Sequence, residues 1–337
     1  MVYRLTMVAS TPLRSLTAGL AALLWLGLVA PAWGQPVNPT AHWPLPPAEL
    51  EQRLAHDDFT IRSVRGGVGG VMGVKKLKIV FPDREDWLAV KWKEAPPRDA
   101  DGWNNTPRKE IAAYEIQKWF LDPVDYVVPT TVARCIPFDE YGPLEESPKA
   151  NLPGTRCVLG TLVIWLEEVT VPEKLFEKER FASDARYAYH LANMNLLTYL
   201  IEHEDGRQGN FLVSEIESDR RVFSIDNGVS FDAKMKNFFV LNWNKIRVPA
   251  LRRETIERLR RVTPEQLETL GVLAELRADD SAVLRAVPFS ENANPEKGAR
   301  TEPGWIQLGL SRRDIKGLRK RIERLLARVD AGRQPVF

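Results

Sequence analysis

"EHEDGRQGNFLVSEIESDRRVFSIDNG", running from Glu202 to Gly228, is the stretch whose reading decides the fold. Asp205 stands five residues before Asn210, and the run "RVFSID" ends on Asp226-Asn227-Gly228. "NFLV" and "RVFSID" read as two short strands joined by a polar hairpin. Asx residues at strand ends can form turns for local reasons alone, because their side chains bond the nearby backbone. Asp, Asn and Asp at neighbouring strand ends also make a set of hard oxygen ligands suited to a divalent cation. The remainder of the chain decides between two turns and a metal and phosphate site.

With 337 residues and 44% hydrophobic content, the chain can bury one large core or two lobes. Arg4 and Arg14 are the only charged side chains in the first 34 residues; without them the 47 basic residues equal the 45 acidic ones. No net field draws such a protein to nucleic acid or to an anionic membrane. The basic run "LRRETIERLRR" (251–261) is interleaved with Glu at helical spacing and reads as a solvated helix face.

The first residues have another character. Arg4 and Arg14 precede the apolar run "GLAALLWLGLVA" (19–30) and the small-residue segment "PAWGQ". That order predicts a signal peptide over 1–34, cleaved near Gly34-Gln35, and an exported protein, secreted or periplasmic. The apolar run is too short to span a bilayer comfortably, so no membrane span is expected after cleavage. The only cysteines, Cys135 and Cys157, lie in two strand-like runs that are plausible hairpin neighbours. A disulfide between them and a pair of free thiols are both open, and two cysteines alone make a poor metal site.

Residues 35–50 are Pro-rich and read as a linker, with "PAELEQRLAH" a short helix at its end. "FTIRSVRGG", "GVKKLKIVF" and "WLAVKWKEA" have the alternation and β-branched content of strands. "TPRKEIAAYEIQKWFL" (106–121) and "DARYAYHLANMNLLTYLIEH" (184–203) carry apolar residues at helical spacing. From about 232 the pattern reads as helical, including "TPEQLETLGVLAEL" and "SRRDIKGLRKRIERLLARV", with Thr263 and Ser311 placed as N-caps. A β-rich first part with one inserted helix thus precedes a mainly helical second part that carries a two-strand insertion.

Phosphoryl transfer needs a glycine-containing turn over the phosphates, a fixed cation, metal ligands and a carboxylate near the acceptor hydroxyl. Each appears in chain order. "RGGVGGVMGVKK" (65–76) supplies Gly67, Gly69 and Gly70, where the backbone can approach phosphate with no Cβ in the way. It is not a Walker A loop, since no Gly-Lys-Ser/Thr follows. "LAVKWKEA" puts Lys91 and Lys93 on one face of a strand. A lysine in so apolar a strand needs a carboxylate partner, which Glu110 can supply from the following helix, with Glu115 as second choice.

On these residues the chain resembles an atypical member of the protein-kinase-like superfamily. It is most similar to the secretory-pathway (Golgi casein kinase-like) kinases and the phosphatidylinositol 3-/4-kinase-like group. Those families write D-R-H-x-x-N and later I-D-x-G; "DGRQGNFLV…VFSIDNGVSF" is similar, as is "EIAAYEIQKWF…VVPTT" to their helix αC and the turn after it. The resemblance implies an α+β, two-lobed kinase-like fold: a small antiparallel sheet plus helix αC over 51–166, then a mainly helical lobe over 167–337. It implies Asp205 as the catalytic-loop acid, Asn210 and Asp226 as ligands of Mg2+ or Mn2+, and Lys91 as the contact to the ATP phosphates, paired with Glu110. The acceptor would be a hydroxyl on a protein, a glycan or a small molecule. The alternative is a catalytically inactive pseudokinase that serves as a nucleotide-binding or scaffold module. Two departures from the pattern stand out: Asp205 is followed by Gly206-Arg207, and no A-P-E segment follows Asp226.

Overall fold

Alternating burial builds the first lobe. A computed structural model describes residues 41–66, 74–96, 106–231 and 243–337. Helix α1 (Pro47–His56) leads into strands β1 (Thr60–Gly66), β2 (Lys75–Val80) and β3 (Leu88–Glu94); helix α2 (Pro107–Gln117) follows, then β4 (Thr131–Pro137), the single turn α3 (Phe138–Tyr141) and β5 (Cys157–Ile164). The strands form one antiparallel sheet in the order β1-β2-β3-β5-β4, with α2 inserted between β3 and β4. Leu77, Ile79, Val90, Trp92, Leu162 and Ile164 alternate onto one face and are buried in the main core with Leu50 and Leu54 of α1. Trp92 is fully buried, and its indole N–H donates to Tyr141 Oη at 3.0 Å, so this large ring leaves no polar atom unmatched.

The second part opens with β6 (Val169–Thr170), α4 (Lys178–Ser183) and the long α5 (Ala185–Leu200), whose N-cap Asp184 accepts from Tyr187 N. Strands β7 (Phe211–Ser214) and β8 (Val222–Ser224) complete a three-stranded sheet with β6. Then come α6 (Arg253–Arg260), α7 (Pro264–Thr269), strands β9 (Ala274–Ala278), β10 (Leu284–Ala286), β11 (Ala299–Glu302) and β12 (Trp305–Leu308), and α8 (Arg312–Asp330). Thr263 and Ser311 do cap their helices, each in a reciprocal box with the residue three on, Gln266 and Asp314. The arrangement is α+β and two-lobed, with the sheet order and inserted helix of a kinase-like fold. The described residues form one compact unit.

One stretch departs from the sequence reading. "TPEQLETLGVLAEL" is helical only to Thr269; its last three residues open β9, an inner strand of a sheet ordered β10-β9-β12-β11. Leu267, Leu270, Leu273 and Leu276 recur every three residues, the spacing of a helix face, and the glycines interrupt it. A Cβ on Gly309 would stand 2.1 Å from Gly271 O, so two chain segments cross where only glycine fits. Leu310 N donates to Leu270 O and Leu273 N to Leu308 O on either side of that crossing. In addition, His42 and Trp43, within the stretch read as a linker, are buried, with His42 Nε2 3.2 Å from Asp219 Oδ2.

This second sheet covers the first one. Leu276, Leu284, Ile306 and Leu308 share a core with Ala133, Cys135, Cys157 and Leu159 and with Ile111 of α2. Cys135 and Cys157 are disulfide-bonded across β4 and β5, with Cα atoms 5.5 Å apart, which resolves the alternative left open above. The paired Cys135→Ala, Cys157→Ala variant is expected to lose about 2–4 kcal/mol of stability. Urea unfolding measures it, and a variant as stable as the parent would show that the bond contributes nothing.

Candidate active site

The loop of the opening stretch is positioned by the β7–β8 hairpin. Phe211 pairs with Ser224, and one step beyond, Ile225 N donates to Asn210 O at 3.0 Å. Asp226 therefore follows directly beside the turn that begins at Asp205. Within that turn Asn210 Nδ2 donates to Asp205 Oδ2 at 2.9 Å and to Asp205 O at 2.6 Å. Arg207 Nε lies 3.4 Å from Asp205 Oδ1. His203 packs edge-on against Phe211, and burial holds its imidazole below the ordinary histidine range, hence neutral.

The Gly206 departure has a steric cause. Gly206 N donates to His203 O, and Trp243 N donates to Gly206 O at 2.9 Å. A Cβ there would stand 3.0 Å from His203 O and 3.2 Å from Trp243 N, both backbone atoms. Gly206→Ala is expected to cost about 1–3 kcal/mol, as for other overpacked sites. A melting temperature equal to the parent's would contradict this.

Helix α2 meets the loop through Glu110. Its Oε1 accepts from Lys93 Nζ at 2.9 Å, and its Oε2 accepts from Asn227 N at 3.0 Å. One buried carboxylate thus ties the strand lysine to the backbone next to Asp226. Lys91 makes an ion pair with Asp226 Oδ1, and Lys93 Nζ lies 3.7 Å from the same oxygen. The Lys91–Glu110 pairing expected from the sequence is therefore corrected: Lys93 pairs with Glu110, while Lys91 faces Asp226. Both lysines share a face, but Lys93 lies two residues, about 7 Å, further along β3. Glu110 beats Glu115 because five helical residues turn about 140°; Glu115 pairs with Lys118 instead, at 2.7 Å. Gly67, Gly69 and Gly70 lie outside the described residues.

Two lysines of β3 meet two carboxylates here, Glu110 and Asp226. Burial alone would push the Asp226 carboxyl up, yet Lys91 and Lys93 hold it down at about 2. Burial would pull the Lys93 ammonium down, but Glu110 and Asp226 keep it above the ordinary lysine value. Lys76 stands opposite Lys91 in the β2–β3 register, on the same face, with its Nζ 3.9 Å over the Trp165 ring. The lysines present a surface suited to phosphate oxygens. Asn210 Nδ2 is spent on Asp205, which leaves its Oδ1 as a hard oxygen on the opposite side of the β7–β8 hairpin pairing from Asp226. Among the described residues no group of three or more His, Cys, Asp and Glu could hold an ion unaided. Two protein oxygens supplemented by phosphate and water oxygens fit the way Mg2+ is commonly held.

Sequence reasoning had placed Lys93 on the right face without a role, and had given Asn227 none; the only signal for Lys93 was its apolar surroundings. No protein-family model matches the sequence, and no curated protein matches it. A solved structure titled "Crystal structure of the golgi casein kinase" aligns with 84% of this chain and 74% of its own, at 14% identity and a TM-score of 0.47.

Proposed function

We propose that the chain is a metal-dependent phosphotransferase that moves the γ-phosphoryl group of ATP to a hydroxyl acceptor on a protein, glycan or small molecule. The observation that carries this reading is the linkage Lys93–Glu110–Asn227, which fixes the strand lysine next to Asp226. Asn210 and Asp226 would hold Mg2+ or Mn2+, which when bound neutralises charge on the transferring phosphate. Lys93, fixed by Glu110, and Lys91 bind the phosphate oxygens of the donor. Asp205, oriented by the Asn210 amide, accepts a hydrogen bond from the acceptor hydroxyl and takes its proton as the bond to phosphorus forms. Catalysis on this scheme is positioning and charge stabilisation more than covalent chemistry. Export fits the signal-like segment over 1–34, which lies outside the described residues; no described helix is long and apolar enough to cross a membrane.

The Lys91–Asp226 ion pair favours a second reading, a pseudokinase, because it occupies Oδ1 of the carboxylate that a metal would need. Labelled ATP with Mg2+ or Mn2+ separates them. Transfer or ATP turnover by the parent and not by Asp226→Asn supports the enzyme. Nucleotide stabilisation without turnover supports the pseudokinase, and no response to nucleotide at all would overturn both.

A further inference from the structure

A cavity lies away from the candidate active site, lined by Ile111 and Glu115 of α2. It has a volume of about 580 Å3 and runs between α1, α2, the edge strand β4 and the β9–β10 sheet. Ile111, Val132, Leu276 and Phe289 make apolar walls, and Glu51 and Glu115 bring carboxylates into it. Its volume is that of a site for a drug-sized molecule, and its make-up is the usual one, mostly apolar with a few convergent polar groups. Phe289 is 61% exposed at the mouth, an unusual position for so large an apolar ring among the described residues.

The charge of the cavity indicates its occupant. Lys118 Nζ donates to Glu51 Oε2 and to Glu115 Oε1, both at 2.7 Å, and Tyr114 Oη donates to Glu51 Oε2 at 3.2 Å. Those contacts use one oxygen of each carboxylate. The other two, Glu51 Oε1 and Glu115 Oε2, accept no hydrogen bond from the described residues, and one lysine faces two acids. Burial pushes the Glu115 carboxyl up, with Glu51 adding to that and Lys118 opposing it, so a further cation would relieve both groups. Glu275, also at the wall, is satisfied by Arg277, Ser290, Trp305 and Gln307 and is not available.

We propose that this cavity binds an amphipathic organic amine, its ammonium beside that of Lys118 on the unbridged oxygens Glu51 Oε1 and Glu115 Oε2, and its apolar body against Ile111, Leu276 and Phe289. The site is independent of the phosphotransferase reading, although its ligand would touch the helix that carries Glu110. A neutral or anionic ligand of the same shape would leave the two free carboxylate oxygens desolvated and unmatched.

Dansylcadaverine, an environment-sensitive arylsulfonamide with a terminal amine, is a direct probe on the full chain. Saturable, blue-shifted emission is expected below about 1 mM, with N-acetylated dansylcadaverine binding about tenfold more weakly, the loss typical of one charge-assisted contact. Glu115→Gln is expected to weaken the amine about tenfold and leave the acetylated probe unchanged. Phe289→Ala, at an exposed position that cannot compromise folding much, should weaken both probes alike. Equal binding of the two probes would overturn the proposal. So would no saturable signal from a parent that melts cooperatively, or a Phe289→Ala variant that binds as the parent does.

Discussion

Asp226→Asn is expected to lower phosphoryl transfer by about 10²–10³-fold, the usual effect of removing one preorganised electrostatic partner. Asparagine keeps the shape of the side chain and removes only its charge. Lys93 retains Glu110 at 2.9 Å, so the strand-to-helix tie survives, while Lys91 loses its counter-ion. The stability change should be small, about 1 kcal/mol or less, because the Asp226 side chain is 38% exposed and solvent screens the pair. Its sign against pH follows from linkage. The folded carboxyl titrates at about 2, below its ordinary value of 3.8, so its contribution is present above pH 4 and is lost as pH falls toward 2. The stability gap between parent and variant should therefore close on acidification from pH 5 to below pH 3. A rate within threefold of the parent's would remove Asp226 from the site.

The two lysines of β3 should part company when each is replaced by methionine. Lys93→Met strands a buried acid: Glu110 is 6% exposed, and its remaining partner would be Asn227 N. Breaking one side of a buried pair typically costs about 3–5 kcal/mol, which is what denaturant unfolding should show. Lys91 is more exposed, and its partner faces solvent, so Lys91→Met should cost no more than about 1 kcal/mol. Both variants should transfer phosphate poorly, so stability separates the two roles. Were Lys91→Met the more destabilising, the assignment of Lys93 to Glu110 would fail.

The loop residues were legible in the sequence because their relation is local. Asp205 to Asn210 is one turn, and Asn210 to Asp226 is one hairpin, so spacing nearly dictates geometry. Which lysine meets Glu110 is not local: it depends on how far α2 enters along β3, and the chain between them passes through 97–105, outside the described residues. The C-terminal sheet was hidden for a different reason. Leucines three apart read as a helix face, and the crossing of Gly271 with Gly309 that interrupts it joins residues 38 apart. The cavity beside α2 could not be seen at all, because its walls come from four separate elements.

The sheet that covers Cys135 and Cys157 also imposes an order of events. The two cysteines are 22 residues apart and emerge together, whereas Leu284, whose N–H meets Cys157 Sγ at 3.3 Å, comes 127 residues after that cysteine. A chain made from its N-terminus exposes the pair to oxidant long before its cover exists, and then shields it once 274–308 docks. The late strands thus turn a disulfide still open to exchange into a kinetically protected one. A chain ending before residue 274 would keep that bond open to reductant.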